Sequence, residues 1–188
     1  MSPELGVATL QLGTSKGCGL AIGAYPHFSY DASGGGGAGE LGPGPADGPR
    51  TVSFEPSTLL IPPLNWRTTR VLGLPLPPGL EIAIAPEQLA GSIDSATGAV
   101  QLHFRARFRF RIAGLYRAPD LLIDTLLSTG SAQGQRHRAV GQPLSADGTA
   151  LLVGVASVPP CGDPWLDRLL GLPDEALAML RCSFKCEP

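Results

Sequence analysis

The sequence predicts a mainly β protein: an antiparallel sandwich, barrel or half-barrel of about 8–10 strands, with one or two short C-terminal helices. Three observations carry that prediction. Val100 to Ile112 alternates apolar and polar residues without interruption, which is the period of a strand with one face buried. The 188-residue chain holds 25 glycines and 19 prolines, and both residues disfavour long helices, glycine through backbone entropy and proline through its missing donor. The other apolar runs are short and separated by turn-forming residues, as in a sheet of many short strands. Length and composition fit a single β domain spanning residues 1–188.

Leu5 to Leu12 and Cys18 to Tyr30 read as two strands, and the turn-rich interval Gly13-Thr14-Ser15-Lys16-Gly17 suggests that they form a hairpin. Pro26 points to an edge or bulge in the second. Residues 32–49, rich in glycine, proline and alanine, offer little apolar surface to offset the cost of ordering, so a flexible loop within the domain is expected. Thr51 to Phe54 resumes a strand. From Pro56 to Pro78 the prolines allow only short extended pieces. Leu80, Ile82 and Ile84 then alternate with smaller or polar residues, and Leu89 to Asp94 leads through the turn Ser95-Ala96-Thr97-Gly98 into the long strand. Leu121 to Leu127 and Arg136 to Val140 are the next strands. Ala150 to Val158 has apolar residues at both parities, as a strand covered on two sides would. Asp163-Pro164 is a helix start and Gly171 a stop. The apolar spacing after Pro173 predicts a second helical stretch, so residues 163–181 read as helical.

The long strand carries the most distinctive chemistry. Its odd positions are Gln101, His103, Arg105, Arg107, Arg109 and Arg111, and the four guanidinium groups would span about 20 Å of one face. Such a ridge can dock an anionic partner, namely an acidic protein, phospholipid head groups or a carboxylated small molecule. It can equally be a solvated face paired with Asp120, Asp124, Glu81 or Glu87. Pairing Ile112 near Leu121 would set Arg109 opposite Asp124. Trp66, with Arg67 and Arg70 beside it, is a second candidate contact surface.

Net charge is −2, so no global basic field favours nucleic acid, and the ridge lacks interleaved exposed aromatics. Gly13 to Gly17 matches G-x-S-x-G, but the strand-to-helix context that would make Ser15 a nucleophile is missing. No dinucleotide or phosphate-loop motif occurs, and Cys18, Cys161, Cys182 and Cys186 lack metal-ligand spacing; they read as reduced thiols, and neither metal nor cofactor is expected. The longest apolar stretch, Ala150 to Val158, is far too short to cross a membrane as a helix. A soluble, cytoplasmic protein is expected, with peripheral membrane contact left open. The leading functional expectation is a non-enzymatic accessory subunit or interaction module that docks a protein partner through the arginine strand. The alternative is a β-barrel carrying a small hydrophobic ligand such as a lipid or pigment, and the third is an enzyme of unrecognised type.

Overall fold

The computed structural model describes residues 4–187 and is built on one thirteen-stranded antiparallel sheet. Its strands are β1 (Ala8–Thr14), β2 (Cys18–Ile22), β3 (Phe28–Tyr30), β4 (Gly36–Leu41), β5 (Pro49–Phe54), β6 (Thr69–Val71), β7 (Leu74–Pro75), β8 (Leu80–Asp94), β9 (Val100–Ile112), β10 (Tyr116–Arg117), β11 (Leu121–Ser128), β12 (Thr149–Val158) and β13 (Asp174–Glu187). Helix α1 (Pro164–Leu170) lies between the last two. Two short ribbons, Glu4–Leu5 with Gly44–Pro45 and Ser131–Gln133 with Arg138–Val140, stand outside the sheet.

Eight strands close into a ring in the order β12, β11, β9, β8, β5, β4, β1, β13, with β13 pairing back to β12. Closure removes the free edges that an open sheet would leave. The barrel has two storeys because the sheet forks beside β13. Thr14 of β1 lies opposite Cys182, and Gly19 of β2 opposite Met179, so five steps of one chain face three of the other. The surplus is a bulge at Ser15–Gly17, with Gly17 at φ 83°. Below it, β1 continues the ring through β4 and β5. Above it, β2 leads to β3, β6 and β7. The remaining gap beside β8 is crossed by a bridge in which the amides and carbonyls of Leu64 and Ile82 bond reciprocally at 2.9 and 2.8 Å.

The lower storey has a filled core in which Leu10, Leu12, Val52, Phe54, Leu102 and Leu152 interlock. Alternation along β9 places Val100, Leu102 and Ala106 fully inside, as its sequence requires. Close backbone approach fixes the register of the β8–β9 hairpin: a Cβ on Gly91 would sit 1.9 Å from the Gln101 carbonyl oxygen.

Several expectations are corrected. β1 and β2 do not form a hairpin; they run in succession along the same edge of β13, because Gly17 redirects the chain without reversing it. The region 32–49 is not a free loop, since Gly36–Leu41 is a strand of the closed ring. Its glycines admit neighbours, as a Cβ on Gly39 would lie 2.6 Å from the Phe54 ring. Of 163–181, only 164–170 is helical. Asp163 caps that helix by accepting from the Trp165 and Leu166 amides, and Gly171 ends it at φ 70°. Asp174 onward is strand, held by ten residue pairs from Ser183 to Asp174 along β12.

Gly91→Ala should therefore cost about 3 kcal/mol or more by overpacking, whereas Gly6→Ala, with nothing within 4 Å, should stay within about 0.5 kcal/mol. Urea denaturation of the two variants checks this.

Candidate functional site

The arginine face of β9 is largely answered by acids on its two neighbours. Phe108, rather than Ile112, pairs with Leu121, so Arg105 rather than Arg109 lies opposite Asp124. The end of β9 turns back onto β10 instead, where Ile112 pairs with Tyr116. Asp124 bonds His103 at 2.5 Å. Glu87, freed by the register shift between Pro86 and Gln88, receives a hydrogen bond from Arg107 on one oxygen and lies 3.2 Å from Arg105 with the other. Arg109 donates to Asp120 at 3.3 Å. These partners are partly exposed, so each pair contributes little to stability. Arg111 makes no ion pair among the described residues; it lies between Glu81 on β8 and Arg117 on β10. Trp66 and Arg67 form a cation–π pair, with the guanidinium 4.9 Å from the ring centroid. Arg70 stands on β6, its guanidinium 3.5 Å from the Gly73 carbonyl. No hydrogen bond or ion pair among the described residues joins these three to the arginine face.

The upper storey is built differently from the lower. It encloses a cavity of about 250 Å³. Alternation in β9 sends Phe108, Phe110 and Ile112 into it, β11 supplies Leu121 and Ile123, and β2 supplies Leu20 and Ile22. Small residues face these large ones: Ala156 on β12, with Ala176 and Ala178 on β13. That mismatch in size is what leaves space. Phe104 packs in the lower core, below the cavity. The threonine hydroxyls on the wall are engaged, for Thr125 donates to the Val155 carbonyl at 2.8 Å and Thr69 meets Thr68 at 3.2 Å. The wall is therefore almost wholly hydrocarbon.

Helix α1 forms one side of the opening. Leu166 and Leu170 are buried, while Trp165 and Leu169 line the cavity and also reach solvent. Across from it, Tyr25 donates its hydroxyl to the Leu169 carbonyl and clasps the β2–β3 turn to the helix. Tyr116 packs edge-on to Trp165 at 5.0 Å. Its buried hydroxyl lacks a hydrogen-bond partner, and burial followed by the nearby Asp163 carboxylate pushes its pKa up to about 12. It stays neutral at physiological pH. The sequence contains all these residues, but their convergence depends on the fork beside β13. Alternation in β9 identified Phe108 and Phe110 as inward-facing; it could not reveal that alanines stand opposite.

An acidic cluster anchors the upper connection. Asp174 accepts two bonds from Arg136, both at 3.0 Å, and Glu175 accepts the amides of Gln135 and Arg136 at 2.6 and 2.5 Å. His27 meets His137 edge-on at 6.0 Å beside it. Each carboxylate is held below its ordinary range, Asp174 chiefly by the Arg136 hydrogen bond and Glu175 by backbone amides. Every charge there has a structural partner. All four cysteines are free; Cys182 is buried, which pushes its thiol up to about 12. Among the described residues no group of three His, Cys, Asp or Glu side chains could hold a metal, and no helix is long and apolar enough to cross a membrane.

Compared with known proteins, the chain matches no protein-family model, no curated protein and no solved structure.

Depressed carboxylates stabilise the fold above their unfolded pKa near 4, and that contribution is lost as pH falls through the lower folded values. Thermal melts should therefore show a falling midpoint below about pH 4. Asp174→Asn should melt lower than wild type at pH 7 and lose less on acidification.

Proposed function

We propose that this protein binds a small apolar molecule in the chamber of its upper storey. The observation that carries this reading is a hydrocarbon-walled cavity of about 250 Å³ beneath a mouth of partly exposed aromatic and leucine side chains. A well-packed interior holds few voids larger than one water. An apolar cavity of about 150 Å³ can admit benzene, so by simple scaling this one suits roughly ten non-hydrogen atoms. Such a ligand would be a short alkyl chain, a monoterpene or a small aromatic. Water gains little there because the Tyr116 hydroxyl alone cannot supply the two or more hydrogen bonds a buried water needs.

Binding would draw on burial of apolar area on both sides, with the Tyr25–Leu169 clasp as the contact most easily opened for entry. The reading concerns binding alone, since no nucleophile or acid–base pair converges on the chamber among the residues that line it. What favours it over docking of an acidic protein along the arginine strand is the local neutralisation of that strand by Glu87, Asp120 and Asp124.

Calorimetric titration with indole and with n-octanol should give single-site binding with a negative heat-capacity change. Ala176→Phe, which fills the chamber, should abolish the heat while the protein remains folded by circular dichroism. Absence of binding across a panel of apolar compounds of this size, with no lipid extractable from the purified protein, would refute the assignment.

A further inference from the structure

We propose that the upper rim is a docking surface for an anionic lipid bilayer, which would place the chamber's mouth against the membrane. The chain tips at this end are fixed by register. Ile112 pairs with Leu80, Val71 with Leu74 and with Phe28, and Val158 with Asp174. The turns at 23–27, 72–73 and 113–115 and helix α1 therefore share one end of the barrel. Large apolar side chains are concentrated there in the open: Leu72 is 80% exposed, Leu74 68% and Leu115 93%, joined by Tyr25, Trp165 and Leu169. Six of the twelve exposed large apolar side chains among the described residues lie on this rim.

Backbone geometry adds an independent sign. Leu72 and Ala113 occupy left-handed φ values of 52° and 51° at the tips of tight turns, positions where glycine or asparagine is ordinarily favoured. Leu72 combines that strain with near-complete exposure and gains no packing in the isolated chain. A side chain held this way at a hairpin tip suits insertion into an apolar medium outside the protein.

Charge selects the medium. Arg111 and Arg117 are directly opposed on β9 and β10, both exposed and without an ion pair among the described residues. Like charges so placed repel unless an anion joins them. Arg70 beside the 72–73 turn and Arg168 on α1 extend the basic border. Among the described residues, the acids of this end form no ion pair with Arg70, Arg111, Arg117 or Arg168. Asp163 and Asp167 accept backbone amides at the start of α1, Asp120 pairs with Arg109, and Asp174 with Arg136. Glu175 is bonded to the 135–137 amides, and Glu81 is the one carboxylate opposite Arg111. Apolar tips bordered by unpaired arginines match the layering of a bilayer, with phosphate outside and acyl chains within.

Flotation with vesicles of 3:1 phosphatidylcholine and phosphatidylglycerol tests this. The wild-type chain should float with these vesicles, bind pure phosphatidylcholine at least tenfold more weakly, and be released by high salt. Leu72→Ser with Leu115→Ser should reduce partitioning roughly tenfold, and Arg111→Ser with Arg117→Ser should reduce it roughly fivefold per arginine. All four side chains lie outside the core, so the variants should keep the wild-type melting temperature. Ala176→Phe should still float, which separates failure of the chamber assignment from failure of this one. Binding that ignores lipid charge, or survives both double substitutions, overturns the proposal. So does a wild-type dimer that Leu72→Ser with Leu115→Ser dissociates, because the rim would then belong to a second copy.

Discussion

The architecture depends on the pairing of β13 along both edges. One edge takes ten residues of β12, and the other takes β1 and then β2. These bonds close the ring and convert an open sheet into a barrel, which satisfies the backbone of the last strand. They also force the two-storey division, because two partners in succession on one edge require the bulge at Ser15–Gly17. Everything above the bulge, including the chamber, is a consequence of which strand lies beside β2.

That dependence explains what could be read from the sequence. β9 was legible to its ends, Val100 and Ile112, because its alternation reports a local fact: one face in, one face out. The turn at Ser95–Gly98 was legible for the same reason. β4 was not, because Gly36 to Leu41 owes its order to partners distant in sequence, and its glycines at 36 and 39 are the mark of a strand approached closely by Leu12 and Phe54. The stretch after Pro173 misleads in the opposite direction. Alanine, leucine, methionine and glutamate favour helix in isolation, but ten cross-strand pairs on one side outweigh that preference.

The same limit applied to chemistry. The arginines were conspicuous, yet their pairing turns on the register shift at Pro86–Gln88, which delivers Glu87 between two of them. The chamber was hidden because empty space has no residue of its own; it arises where Phe108 and Ile112 face alanines. The reading that best unites these features is an apolar ligand held behind a mouth whose border is itself apolar and basic. Both depend on the same end of the barrel, although they engage different faces of it.

The fork also divides the protein by tolerance to change. Residues below the bulge share a close-packed interior, where a lengthened strand or altered volume would propagate around a closed ring. Above it, β2, β3, β6 and β7 are joined through turns, and one segment is attached to β8 by a single two-bond bridge at Leu64 and Ile82. Insertions in those turns could reshape the upper space while leaving the lower ring's hydrogen-bond register intact. Divergence among descendants of such a chain would be recorded unevenly, with a conservative base and a variable crown.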